Sequence, residues 1–148
     1  MAELHEVDAW LDALLAQLEP SARTKMLREV ARDVRRIQQA NITAQRAPDG
    51  TAWEPRRVTA RTKPGRIRRK MFAKLKTTKY LKAQASADQA EIAFAPAVQK
   101  LARVHHYGLR DRVNRRGTMV KYEERQLMGL NKEAEMTVQE ILVRWLSE

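Results

Sequence analysis

The sequence predicts an α+β domain: an N-terminal helical hairpin, a basic irregular arm, a small antiparallel β-hairpin or sheet, a short helix and a C-terminal helix. Three observations carry this. Apolar residues recur at three- and four-residue steps at both ends of the chain, and a stretch past the middle alternates with a period of two. Between them, residues 46–79 hold twelve Lys and Arg against two acids, with interspersed prolines and little periodicity. A length of 148 residues suits one domain, 1–148, with the basic arm at about 47–79.

Leu4, Val7, Leu11, Leu14, Leu15 and Leu18 fall on one face of a first helix. Glu3, Glu6, Asp8 and Asp12 sit in its first turns, where they complement the positive end of the helix dipole. Pro20 disfavours helix at the residue before it, so this helix ends near Leu18. A second helix is expected from Ser21, its N-cap, to Arg46, with Met26, Leu27, Val30, Val34, Ile37 and Ile42 as its stripe. The tight link between the two predicts an antiparallel helical hairpin.

Ala47-Pro48-Asp49-Gly50 is a turn signature, because proline pre-sets φ and glycine suits the last position. From there to Gly65 the chain should be extended or irregular, anchored by Trp53. Arg66 to Lys79 predicts a short basic helix around Ile67, Met71, Phe72 and Leu75. Leu81, Ala83 and Ala85 then alternate with polar residues, and Ile92 and Phe94 share a face of a second strand ended by Pro96. Val98, Leu101, Ala102 and His105 belong to one face of a short helix, with Gly108 as its stop. Residues 109–121 read as basic and turn-like. Asn131 caps the last helix, whose stripe is Ala134, Val138, Ile141, Leu142 and Trp145.

Chemistry-bearing constellations are sparse. Without cysteine there are no disulfides, thiolate metal sites or cysteine nucleophile, which fits synthesis in a reducing cytoplasm. No apolar run approaches the roughly 18 residues that cross a bilayer, and the acidic N-terminus is unlike a signal peptide. His105 and His106 are adjacent, so on a helix they point about 100° apart and do not grip one metal ion. The carboxylate pairs Asp8/Asp12, Glu123/Glu124 and Glu133/Glu135 suit helix ends or solvated faces better than a dyad. There is no G-x-S-x-G elbow and no phosphate-cradling loop. We expect no catalytic residue, no metal and no cofactor.

The formal charge is +11, and nearly all of the excess lies in residues 46–79. Arg56, Arg57, Arg61, Lys63, Arg66, Arg68, Arg69, Lys70 and Lys74 are the candidate contact residues, with Lys76 and Lys79 beyond them. Such a cluster suits a polyanion, bound with steep salt dependence, or an acidic protein surface. Zinc ligands, a recognition helix and an aromatic ladder are all missing, so contact with nucleic acid would be to its backbone.

Several segments, taken in order, resemble the phage virion morphogenesis, or tail-completion (S-type), proteins. Gln38-Gln39-Ala40-Asn41-Ile42-Thr43-Ala44-Gln45-Arg46-Ala47-Pro48-Asp49-Gly50-Thr51-Ala52-Trp53-Glu54-Pro55 is similar to the family's helix end and Pro-Asp-Gly turn. Met71-Phe72-Ala73-Lys74-Leu75 leading to Tyr80-Leu81-Lys82 resembles a further segment. Ala102-Arg103-Val104-His105-His106-Tyr107-Gly108 resembles its Ala-x-x-His-x-x-Gly element, although His106 stands where glutamine is most frequent. Arg125-Gln126-Leu127-Met128-Gly129-Leu130 is similar to the Arg-x-x-Leu-Gly lead into the final helix. The candidate structural residues are therefore Pro48, Asp49, Gly50, Trp53, His105, Gly108, Arg125 and Gly129, with His105 expected to pack under the sheet.

The resemblance implies a single tail-completion domain: a non-enzymatic virion protein at the head-proximal end of a contractile tail, assembled in the host cytoplasm. It implies a ring of identical subunits, with a homo-hexamer the natural guess. Its implied neighbours are the tail tube, sheath or terminator proteins and the head–tail connector, with possible contact to the DNA backbone in the tail channel and none to a membrane. A non-specific nucleic-acid-binding protein using residues 56–79 is the alternative.

Overall fold

The computed structural model describes residues 9, 12, 13, 16, 18–56, 70–112 and 114–147. The predicted first helix, and with it the helical hairpin, lies largely outside these residues, as does most of the basic arm. What is described is α+β, with three long-range helices and two antiparallel strand pairs.

Helix α1 spans Pro20–Thr43. Pro20 occupies the first turn, where its missing N–H costs nothing and its fixed φ is already helical. The cap is therefore Glu19, with no side-chain cap bond, and not Ser21. The helix also stops short of Arg46, because Gln45 turns to φ +58. Met26, Val30, Ala31, Val34, Ile37 and Ile42 form its buried face, and Gln38 is buried among them.

Strands β1 (Leu81–Ala85) and β2 (Ala90–Phe94) pair in the register Leu81↔Phe94, Ala83↔Ile92 and Ala85↔Ala90. Those pairs lie on one face, as a period of two requires, and the hairpin packs against α1. Helix α2 (Pro96–Tyr107) begins at the proline that ends β2. Its buried residues are Ala102 and Val104, while Leu101 is 47% exposed, contrary to the expected stripe. The segment expected to be turn-like contains strands β3 (Arg110–Arg112) and β4 (Met119–Lys121), a second antiparallel pair. Helix α3 (Lys132–Leu146) closes the order and packs along α1. The Asn131 side chain accepts a hydrogen bond from Ala134 N at 2.8 Å, so the cap is where it was expected.

Two apolar clusters result. One joins Ile42, Ala47, Trp53, Leu75, Leu81, Phe94, Ala102 and Leu127. The other joins Met26, Val30, Val34 and Ile37 of α1 to Ala134 and Ile141 of α3. Beside it, Glu29 accepts from Trp145 Nε1 at 2.7 Å and pairs with Arg144. These bonds, led by that of Trp145, hold the Glu29 carboxyl below its ordinary pKa.

The basic helix expected over 66–79 is not formed in its described part. Residues 70–80 run as successive turns, with Leu75 N bonded to Phe72 O and Thr77 N to Lys74 O. Phe72 sits at φ +62, which no α-helix accommodates. No helix among the described residues is long and apolar enough to cross a membrane.

Candidate functional site at the base of the basic arm

The turn after α1 is built by short-range bonds. Gly50 N donates to Ala47 O at 2.9 Å, and Gly50 takes φ +92, the region glycine enters without penalty. Asp49 Oδ1 accepts from Thr51 N at 2.9 Å, which keeps the Asp49 carboxyl below its ordinary pKa. Arg46 bridges to Ala52, and Trp53 N donates to Gln45 O at 2.9 Å, so the chain doubles back beside its own helix end.

That turn is bolted to the segment before α3. Trp53 is buried and its Nε1 donates to Gln126 O at 3.0 Å. Asn131 Nδ2 donates to Pro48 O at 3.1 Å. The Pro48 ring lies so close to Gly129 that a Cβ there would come within 3.0 Å of Pro48 Cγ. Gln38 completes the lock from α1: its Nε2 donates to Gly129 O at 2.9 Å, and its Oε1 accepts from Gly129 N at 3.1 Å.

Both feet of the arm are fixed in the same place. At the outgoing foot Arg125, only 8% exposed, donates from Nε to Glu54 O at 2.9 Å and from Nη2 to Pro55 O at 3.2 Å. At the returning foot the Gln45 amide makes a reciprocal pair with Met71, Nε2 to Met71 O at 3.0 Å and Met71 N to Oε1 at 2.9 Å. Lys70 Nζ adds a bond to Thr43 O at 3.1 Å. A column of rings ties the feet together. Trp53 meets Phe72 edge-on at 5.5 Å, Phe72 meets His105 at 4.9 Å, and His105 meets Tyr122 at 4.6 Å. Such packing offsets the backbone strain of Phe72 in the left-handed region.

Beside this column a cleft of about 390 Å³ is lined by Phe72, His105, Val120 and Tyr122, with Arg56 and Arg125 at its polar side. The two histidines diverge from here. His105 turns to Phe72 and Tyr122, and its ring contacts are with these and not beneath the β1–β2 hairpin as expected. Burial, and secondarily the Arg125 charge, lower its pKa, with Asp111 opposing. His106 turns the other way: its Nδ1 accepts from Leu127 N at 3.1 Å, and burial lowers its pKa against the pull of Glu124. Among the described residues no three potential ligands gather to hold a metal. Gly108 ends α2 at φ +65, pressed so close to the chain that a Cβ would lie 2.8 Å from Glu124 N.

Of the candidate contact residues, Arg56, Lys70 and Lys74 are exposed around the feet. Arg57, Arg61, Lys63, Arg66, Arg68 and Arg69 lie outside the described residues. The structure brings Pro48, Trp53, His105, Gly108, Arg125 and Gly129 into one junction, with Asp49 and Gly50 shaping the turn. Sequence reasoning missed Gln38 and Gln45. A signal existed for the first, since Gln38 follows Val34 by four residues on an apolar stripe and a buried amide there requires partners. For Gln45 none did, as its role depends on a positive φ.

The description of the phage virion morphogenesis family matches residues 2–147. The chain is also similar to the tail completion protein S of Escherichia phage P2, at 37% identity over 148 residues and 99% of each chain. No solved structure gives a significant match.

Proposed function

The chain belongs to the phage virion morphogenesis family, and from that premise we propose that it completes the head-proximal end of a phage tail and supports head–tail joining. Its role is in phage tail assembly; the terminator or neck position is our reading. We take it to be structural and not an enzyme, in keeping with the name of its phage P2 relative. On this reading it forms a ring of identical subunits, a homo-hexamer if it follows the tail's symmetry. The basic arm reaches a neighbouring subunit, the tail tube, sheath or terminator proteins, or the connector.

One observation carries the reading: the residues that resemble the family's motifs converge on the two feet of the arm. Arg125 holds the carbonyls of Glu54 and Pro55, and the ring column closes the gap to Met71 and Phe72. A fold that spends a buried guanidinium on fixing where a charged segment leaves the body is positioning that segment for a contact. The charge of the arm itself favours a second reading, contact with the DNA backbone inside the channel.

The test is complementation. Purified protein added to extracts of an infection lacking its own tail completion protein should restore infectious particles. Replacing Arg57, Arg61, Lys63, Arg66, Arg68 and Arg69 with Gln should abolish the restoration while leaving the melting temperature in place. Full restoration by that variant refutes a role for the arm, and no restoration by the unaltered chain with its matching heads and tails refutes tail completion. Salt-sensitive DNA binding lost in the same variant would favour the second reading.

A further inference from the structure

The strand pair β3–β4 is an odd element for a monomer. Its register places Arg110 opposite Lys121 and Arg112 opposite Met119 on one face, with Asp111 opposite Val120 on the other. The second face looks inward: Asp111 pairs with Lys100 at 3.8 Å, and Val120 lines the cleft beside Phe72 and Tyr122. The first face looks out, and Arg110, Arg112, Met119 and Lys121 are all exposed, Met119 by 54%. Like charges directly across a ladder are destabilising, and a lone two-stranded ribbon is marginal in water. An acidic, partly apolar partner relieves both.

Such a surface exists on the same chain. The inner stripe of α3 packs on α1, yet Met136 and Val143 on its opposite side are 51% and 64% exposed. Glu133, Met136, Glu140 and Val143 follow one another at three- and four-residue steps, so they form a second stripe of alternating acid and apolar side chains. Leu130, 75% exposed, extends it at the N-terminal end. The ribbon has no substantial packing against α3 within the chain. Glu133 and Glu140 are about 10 Å apart along the helix, and Arg110 and Arg112 about 7 Å apart along the strand, spacings that long arginine side chains bridge.

We propose that the outward face of β3–β4 in one copy docks on the outer stripe of α3 in a second copy, Arg110 and Arg112 meeting Glu133 and Glu140 while Met119 covers Met136 and Val143. The two surfaces differ, so the contact is heterologous, and repeated head to tail it closes a ring. This deepens the ring reading above and rests on it. Charge and apolar match favour a second copy over nucleic acid, since a phosphate backbone has no use for Met119 or for an acidic stripe.

The test is a charge swap followed by sedimentation velocity and native mass measurement. Arg110→Glu with Arg112→Glu, or Glu133→Lys with Glu140→Lys, should each weaken self-association at least about tenfold while the monomer melts unchanged. A 1:1 mixture of the two reversed proteins offers one matched contact of opposite polarity only within a chain carrying all four changes, so the quadruple variant should recover association. Self-association indifferent to both reversals, or no recovery in the quadruple variant, overturns the proposal. So does a monomer destabilised by the α3 reversal alone, which would show that the stripe is covered within the chain. If instead the ribbon reversal removes only DNA binding, the partner is nucleic acid. Complementation separates the outcomes: swap-insensitive protein that still completes tails sinks this contact alone, and swap-sensitive rings that never complete tails sink the tail reading alone.

Discussion

Gln38 provides the sharpest test of how the junction is held. It is 1% exposed and exchanges two hydrogen bonds with the backbone of Gly129, 91 residues away. Gln38→Met keeps the volume and removes both bonds, leaving the Gly129 N–H and C=O without partners. Gly129 is only half-buried, so water recovers part of the loss, and the expected cost is about 2–4 kcal/mol. For a chain of this size that lowers Tm by about 5–15 °C at fixed protein concentration. Arg36→Met, exposed on the same helix, should stay within about 0.5 kcal/mol. Gln38→Glu adds a pH signature. Burial, with the Gly129 carbonyl facing the carboxylate, raises the folded pKa above the unfolded value of about 4.3. The protonated acid can donate to Gly129 O and accept from Gly129 N as the amide does. The variant should therefore approach the parent at or below about pH 4.3 and fall progressively behind it as pH rises through the raised folded pKa. Thermal and urea unfolding of variant and parent at each pH isolates this group from all others. A Met variant that melts with the parent, or a Glu variant whose deficit ignores pH, refutes the reasoning.

Two further outcomes are expected. Gly108→Ala places a Cβ at φ +65 and 2.8 Å from a backbone nitrogen, so it should cost at least about 2 kcal/mol in urea unfolding; a loss under about 0.5 kcal/mol would show that α2 ends there without constraint. Burial depresses the pKa of both His105 and His106, so their neutral forms belong to the fold. Stability from this source is complete above the unfolded value of about 6.5 and is lost as pH falls through the depressed folded values. Protonation also turns His106 Nδ1 from acceptor to donor against Leu127 N. His106→Gln should flatten part of that acid limb in a plot of unfolding free energy against pH, and an unchanged limb would assign it elsewhere.

Elements whose stability is local were legible in the sequence. Asn131 and the two glutamates behind it marked the start of α3, and alternating small and polar residues marked β1. What escaped depended on distant contacts. Strands β3 and β4 consist largely of charged residues with no inward stripe to read, and only the turn between them was visible. The expected helix over 66–79 had good composition, but Phe72 is drawn into a positive φ by the rings on either side of it. Leu101 looked like core by spacing, whereas α2 instead buries Val104. The motif residues were recognisable singly by resemblance; that they share one junction required the chain's path.

The bond between Gln38 and Gly129 has a consequence for synthesis. Helix α1 is made early, yet its buried face is completed by Ala134 and Ile141, and its amide by Gly129. A nascent chain thus displays Met26, Val30 and Val34 uncovered until nearly all of its residues have left the ribosome. Closing such sequence-distant contacts is slow, and chains that stop early remain sticky. Competence to assemble therefore arrives late and all at once, which keeps unfinished chains from taking a finished subunit's place.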